Sequence, residues 1–252
     1  MDPLVLTALR GQTALITGAA HRLGAALAEG LAANGVHVVL HYNTRKGPAE
    51  ALAQRLQASH GVSCWTVQAN LSSADEAARL IEKALTCSEK FDILINNASI
   101  FEESSIQDVS EAELLRNMQV NAWAPLTLAQ HFAKQAQQGT ILNMLDTKVL
   151  EYDKDHAAYH LSKRALQSIN RMLAMELAPN IRVNAIAPGL VLAPEGKDEA
   201  YLEALAPTVP LQGYSHPTAI VEAALFLLKN AFITGQCIYV DGGRHLHGSF
   251  YD

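Results

Sequence analysis

The stretch TALITGAAHRLGAALAEGLAANGVHVVLH, Thr13 to His41, decides the fold. Thr13 to Thr17 is an apolar run of strand length, and Val36 to His41 is a second. Between them Ala25 to Asn34 is rich in Ala and Leu, and Gly35 stands where a helix would end. Strand, helix and strand in that order form a crossover unit, which joins parallel neighbours in a sheet. Working outward, further strands are expected at Ser63 to Gln68, Phe91 to Asn96, Gly139 to Leu145, Ile181 to Ala187 and Gln236 to Val240. Helical patterns separate most of them, and Ser73 with Glu76 three residues on reads as a capping box opening one helix. The expected fold is α/β: a single-domain, Rossmann-type, doubly wound parallel sheet of about seven strands with helices on both faces.

Composition agrees with that layered core. Of 252 residues, 49% are hydrophobic, 17% charged and only 6% aromatic, which excludes a disordered chain and leaves Ala, Leu, Ile and Val to fill the interior. The formal charge of −6 argues against a broad basic face for nucleic acid, while leaving room for a local phosphate pocket. No apolar run is long enough to span a bilayer, and the start MDPLVLTALRG lacks the pattern of a signal peptide. A cytoplasmic protein with reduced Cys64, Cys87 and Cys237 is expected, since three cysteines cannot all pair and none lies in a C-x-x-C. The chain reads as one domain, 1–252, with an N-terminal arm over 1–10. A proline-marked segment over 190–217 (Pro194, Pro207, Pro210, Pro217) carries a short amphipathic piece at Leu202 to Ala206 and is a candidate lid. Trp65 and Trp123 read as packing residues, and Ala219 to Leu228 as a core or subunit-contact helix. His245 and His247 lie two apart with no third ligand evident, so no metal site is expected.

The first strand-to-helix turn is TGAAHRLG, Thr17 to Gly24. Gly18 suits a tight turn, and Gly24 a close approach of backbone to a phosphate at the helix N-terminus, as in a dinucleotide site. An NAD site places an acid after the second strand to hold the ribose 2′-hydroxyl. Here the chain continues His41-Tyr42-Asn43-Thr44-Arg45-Lys46, with no acid until Glu50. Arg22 and Arg45 would pair with a 2′-phosphate that a carboxylate would repel, so the expected cofactor is NADP, bound as NADPH.

Further on, Tyr159-His160-Leu161-Ser162-Lys163 puts Tyr and Lys four apart on one helical face. A neighbouring ammonium favours the phenolate, so Lys163 is expected to lower the Tyr159 pKa and make proton donation practical near neutral pH. Asn96-Asn97-Ala98-Ser99 ends the fourth strand, Asn121 lies in the next helix, and Asp241-Gly242-Gly243 follows the last strand. In the order and spacing of these motifs the chain resembles the short-chain dehydrogenase/reductase family over essentially its whole length. The resemblance implies Tyr159 as proton donor, Lys163 as its partner and holder of the nicotinamide ribose, and Asn121 as anchor of a water relay. It implies a cofactor site made by Gly18, His21, Arg22, Leu23, Gly24, Tyr42, Asn43, Thr44, Asn70, Leu71, Asn97, Ala98, Ser99, Tyr159, Lys163, Pro188, Gly189 and Leu190. Asn70 stands where the family usually has an Asp beside the adenine. A homotetramer is also implied.

One departure points to the substrate. Where most members carry a Ser thirteen residues before the Tyr, donating to a carbonyl, this chain has Asp146. An ionised carboxylate only accepts hydrogen bonds and repels a developing alkoxide. Pteridine reductases, a subgroup of the family, resemble the chain in TGAAHRLG, in LHY, in NNAS followed by Phe101, in the Asp before Tyr-x-x-x-Lys, and in ELAPNIRVNAIAPG (Glu176 to Gly189). By that resemblance Phe101 stacks on a pterin or folate-like substrate, with Ser99, Arg22, Asp146 and Tyr159 also touching it. The expected activity is NADPH-dependent reduction of a dihydropterin or dihydrofolate-like molecule. The alternatives are a 3-oxoacyl-thioester or other carbonyl reductase of the same family, and a dinucleotide-binding regulatory protein without turnover.

Overall fold

A computed structural model gives the structure at residues 8–150, 153–194 and 196–246. The strands are β1 (Thr13–Ile16), β2 (His37–Tyr42), β3 (Cys64–Gln68), β4 (Ile93–Asn96), β5 (Gly139–Met144), β6 (Ile181–Pro188) and β7 (Cys237–Val240). The helices are α1 (Arg22–Ala33), α2 (Lys46–His60), α3 (Ala74–Leu85), α4 (Glu111–Met118), α5 (Ala124–Gln135), α6 (Ala157–Glu176), α7 (Glu199–Leu205) and α8 (Pro217–Lys229). All seven strands are parallel, in the order β3-β2-β1-β4-β5-β6-β7. The expected fold class and strands are therefore observed, with ends shifted by up to two residues.

The continuous apolar strands follow from burial on both faces. Side chains alternate across a strand, so Ala14 and Ile16 of β1 enter one core while Leu15 enters the other. Val38 and Leu40 against Val39 in β2, and Ile93 and Ile95 against Leu94 in β4, repeat the division. Leu27, Leu31, Leu56, Ile220 and Leu227 from α1, α2 and α8 close the first core. Leu80, Ile81, Leu128 and Phe132 from α3 and α5 close the second. Each fully buried Leu or Ile removes enough apolar surface to contribute about 1.5–3 kcal/mol, so the sheet is a stiff base for whatever its strand ends carry.

Strand order reverses at β1, which pairs with β2 on one side and β4 on the other. Ile16 is level with both Leu40 and Ile95, so Gly18, His41 and Asn97 emerge along one rim. Met144 is level with Ile186, which brings the segments after β5 and β6 to the same rim. A crevice outside the carboxyl ends at such a reversal is where open α/β sheets bind ligands.

Local expectations fare unevenly. Ser73 caps α3, its Oγ accepting from the Glu76 N–H at 3.3 Å, but the Glu76 carboxylate accepts from the Asn70 N–H at 2.8 Å instead of returning to Ser73. The reciprocal box occurs at Ser110 and Glu113, opening α4. Trp123 is 54% exposed and so is no packing residue, whereas Trp65 rests against the second core. Among the described residues no helix is long and apolar enough to cross a membrane.

Candidate active site

The glycine turn is built by contacts that only these residues satisfy. Gly18 has φ +63°, and a Cβ there would meet the Ala98 Cα at 3.0 Å. Gly24, which lines the groove, has a packing reason as well: a Cβ on it would overlap the Gly18 carbonyl oxygen and lie 2.7 Å from Asn97 Nδ2. A side chain there would push α1 off its own turn and off the segment that follows β4. Thr17 ties the two strands across the reversal, its Oγ1 accepting from the N–H groups of Asn97 (2.9 Å) and Ala98 (3.0 Å). Asn97 returns the bond, donating from Nδ2 to the carbonyls of Thr17 (2.9 Å) and Gly18 (3.2 Å).

Beneath the turn lies His41, buried at the end of β2. Its Nδ1 accepts from the Gly18 N–H at 3.1 Å and its Nε2 bonds the Ala69 carbonyl at 3.0 Å, which requires the neutral ring with the proton on Nε2. Burial pushes its pKa down to about 4 from 6.5, partly opposed by the Ala69 bond. Because the folded value is depressed, the protonated ring favours unfolding. Stability should fall by about 3 kcal/mol as pH drops from 6.5 through 4, since each tenfold change in proton affinity is worth about 1.4 kcal/mol. Urea unfolding at pH 7 and pH 4.5 should show a larger loss for the wild type than for His41→Gln, which keeps an acceptor and a donor. Equal losses would remove His41 from the acid sensitivity.

From this turn a groove of about 330 Å³ runs past His21, Arg22 and Leu23 to Tyr42, Asn43, Thr44, Arg45, Asn70 and Leu71 on one side and Asn97, Ala98 and Ser99 on the other. The first turn of α2 holds no acid, and Glu50 faces Lys46 at 3.7 Å. The lining suits an anionic dinucleotide, since the positive end of α1 and the side chains of Arg22 and Arg45 border the groove. Asn70 Oδ1 accepts from the Ser72 N–H at 3.0 Å, so the side chain is already oriented by its own turn. Arg22 occupies the left-handed region (φ +54°), a conformation costing a non-glycine residue about 1–2 kcal/mol. Its Nη2 donates to the Ala193 carbonyl at 2.6 Å, joining the turn to the 190–217 segment.

That segment contains α7 and a single turn of tighter helix over Ala206–Thr208, held by a small core of Leu190, Leu202 and Val209. Leu190 is buried and its carbonyl accepts from the Ser215 N–H at 2.7 Å. Pro188 and Gly189 line a second pocket, which shares Arg22, Leu23, Asn97 and Ser99 with the groove and reaches Asp146, Tyr159 and Lys163, and a Cβ on Gly189 would strike Asp241 Cβ at 2.6 Å.

The far end of this cleft, where the candidate catalytic residues meet, is formed by α6 against the end of β5. Tyr159 Oη donates to Asp146 Oδ2 at 3.1 Å, and Asp146 Oδ1 accepts from the Lys148 N–H at 2.8 Å. Lys163 is buried, donates to the Met144 carbonyl at 2.8 Å, and has its Nζ 5.7 Å from the Tyr159 ring centroid. Burial pushes Lys163 down to about 8, with Asp146 opposing. The expectation for Tyr159 is corrected here: burial, then the Asp146 carboxylate, raise its pKa well above the ordinary value, and the ammonium does not reverse this. Tyr159 is therefore a protonated phenol, its hydroxyl given to Asp146.

Asn121 lies in a single π-helical turn, Gln119–Trp123, between α4 and α5, the kind of bulge often found at functional sites. Its Oδ1 accepts from the Ile100 N–H (2.9 Å) and Ser99 Oγ (3.0 Å), and its Nδ2 donates to Ser162 Oγ (3.0 Å) and the Ile100 carbonyl (3.0 Å). It thus joins the Ser99 loop to α6, one residue from Lys163. Phe101 is 48% exposed beside the cleft, with its ring edge-on to Tyr159 at 4.7 Å between centroids.

Thr17, His41 and Ser162 carry only weak signals in the sequence, because each acts through a partner distant in the chain. Cys64 and Cys237 have thiols pushed up to about 11 by burial, and all three cysteines are free. His245 bonds Asp241 and stacks on Tyr239 in a helical turn, Arg244–Leu246, not on a strand, while His247 lies outside the described residues. No metal-holding group occurs among the described residues.

A family model described as Enoyl-(Acyl carrier protein) reductase matches residues 18–245. Pteridine reductase 1 of Leishmania tarentolae is 34% identical, the match covering 92% of this chain and 96% of that protein. A 3-oxoacyl-[acyl-carrier-protein] reductase of Synechocystis is 30% identical over 94% of this chain and 98% of the relative. The crystal structure of FolM Alternative dihydrofolate reductase 1 from Brucella suis in complex with NADP superposes with TM-score 0.91 and 33% identity, covering 98% of each chain.

Proposed function

The chain belongs to the short-chain dehydrogenase/reductase family, and on that footing we propose that it is an NADPH-dependent reductase of dihydropterins or dihydrofolate-like pteridines. The observation that carries this reading is the Tyr159 hydroxyl donating to Asp146 at the place where a carbonyl-reducing site needs a second donor. A carbonyl oxygen has two lone pairs and gains from two donors as charge develops, whereas an imine-type ring nitrogen has one and needs one donor. Here the Tyr159 hydroxyl is the neutral donor beside an acceptor, Asp146, while the Ser99 hydroxyl in the same pocket is already given to Asn121 Oδ1. That combination suits a heterocycle that takes a proton on one nitrogen and presents N–H groups alongside.

Bound in the groove, NADPH would supply a hydride for a pyrazine-ring carbon of the substrate. The C=N bond becomes CH–NH once the adjacent nitrogen receives a proton from Tyr159. A phenol with a high pKa is adequate, because the nitrogen becomes strongly basic as hydride arrives. Lys163, with its pKa near 8, is close enough to neutrality to return a proton to the tyrosine side. Phe101 offers a flat apolar face to the ring system. The Asn121 network holds Ser99 and α6 in register.

NADPH oxidation assayed with dihydrobiopterin, dihydromonapterin, dihydrofolate and an acetoacetyl thioester tests the proposal. Turnover of one or more pteridines is expected. Turnover of the thioester alone would replace this reading with the carbonyl-reductase one, which relatives of that activity support. Binding without any turnover would favour a regulatory dinucleotide-binding role.

The cofactor preference has its own test. Arg22→Ala combined with Arg45→Ala should raise the NADPH Kd about 100-fold while changing the NADH Kd less than about threefold, since charge-assisted bonds are each worth about 1.5–3 kcal/mol. Equal weakening of both would mean that the arginines do not read the 2′-phosphate.

A further inference from the structure

Phe101 belongs to a loop after β4, yet its ring is held from another element. His156, the residue before α6, stacks on Phe101 with centroids 3.9 Å apart and planes 17° from parallel. The His156 ring is fixed in turn, its Nδ1 lying 3.1 Å from Oδ1 of Asp153, which is buried. Asp153 is anchored by Lys148 Nζ at 3.1 Å and by the Asp155 N–H at 3.1 Å. The Lys148 N–H meets Asp146, Asp146 meets the Tyr159 hydroxyl, and the Tyr159 ring meets Phe101 edge-on. The contacts therefore close a ring around the reacting end.

The backbone reinforces it. Ser104, three residues beyond Phe101, donates its N–H to the Asp155 carbonyl at 2.9 Å, and its own carbonyl accepts from the Ala157 N–H at 2.8 Å. Ser104 Oγ accepts from the Ala158 N–H at 3.1 Å. The Phe101 loop is clipped to the start of the helix that carries Tyr159.

We propose that His156 and Asp153 are positioning residues for pteridine reduction: His156, held by the Asp153 carboxylate, backs the Phe101 ring and sets its plane so that it receives a flat substrate at a fixed height over Tyr159. This rests on the pteridine reading above. The physical reason is entropic. A half-exposed aromatic side chain on a loop would lose its freedom on binding. The stack meets that cost in the free protein, and a ring pair of this kind is favourable beyond the area it buries. The effect should therefore appear in substrate affinity, with little change in the chemical step.

Two readouts test it on the intact enzyme. With 4-fluorophenylalanine incorporated in place of phenylalanine and the position-101 resonance assigned through Phe101→Leu, His156→Ala should shift that 19F signal in the absence of substrate. His156→Phe, which keeps an aromatic face but loses the bond to Asp153, should restore it most of the way. In steady-state kinetics His156→Ala should raise the dihydropterin KM about tenfold. The same variant should lower kcat less than about threefold and leave the NADPH Kd within about twofold, with His156→Phe recovering most of the KM. Asp153→Asn should give a smaller rise in KM in the same direction. An unmoved 19F signal, or an unchanged KM, would overturn the proposal. A parallel loss of NADPH affinity would also overturn it, because it would indicate general loosening of the fold. A wild type that turns over only the thioester would instead sink the pteridine reading, and the fluorine shift would then report the contact without that function.

Discussion

Tyr159→Phe should bind NADPH within about threefold of the wild type and lose pteridine turnover by about 10²–10⁴-fold, the range expected when a positioned general acid is removed. The large effect follows from the scarcity of donors. Tyr159 Oη is bonded to Asp146, the Ser99 hydroxyl in the same pocket is committed to Asn121 Oδ1, and Lys163 is committed to the Met144 carbonyl and lies behind the ring. Phenylalanine keeps the edge-on contact with Phe101, so the pocket should retain its shape while losing its proton. Rapid-mixing measurement of NADPH oxidation in a single turnover isolates this step from product release. A loss smaller than about tenfold would mean that the proton comes from elsewhere.

Asp146→Ala should lower pteridine kcat about 10²-fold while leaving NADPH affinity near wild type, because Asp146 touches Tyr159 and the Lys148 N–H and not the phosphate-binding turn. It also carries a pH signature whose sign is fixed. The carboxylate raises the Tyr159 pKa, second only to burial, so its removal must lower that pKa. Any alkaline limb of kcat/KM that reports loss of the Tyr159 proton should therefore move to lower pH in the variant. A limb moving upward, or unchanged pteridine turnover, would remove Asp146 from the relay.

The strands of the sheet were readable because both faces are covered, which makes each strand a short continuous apolar run. Helix limits were less so: α1 begins at Arg22, three residues before the Ala-rich pattern, because its first turn is held by the glycine turn and its partners on β4. The pairing of Tyr159 with Lys163 was legible from helical spacing. The direction of the Tyr159 shift was not, since it depends on how deeply α6 is buried and on a carboxylate that arrives from the end of β5. His41 shows the same limit. Nothing in its own neighbourhood says that strand pairing sets it under the Gly18 N–H, yet that bond fixes its tautomer, and burial there lowers its pKa. Glu76 had the spacing of a capping box and spends its carboxylate on Asn70, a choice made by the turn before α3. His156 has no legible signal as a residue three before Tyr159, because its role lies in a stack with a ring 55 positions earlier in the chain.

The most direct test of pteridine reduction follows the hydride itself. Wild-type enzyme should be supplied with NADPH deuterated at the transferable position of the nicotinamide, in both stereochemical forms, together with a dihydropterin and an acetoacetyl thioester. The expected product is a tetrahydropterin carrying one deuterium on a pyrazine-ring carbon from one of the two forms, with the new N–H proton drawn from solvent. Deuterium found only in the hydroxyacyl thioester, with the pterin recovered unlabelled, would contradict it.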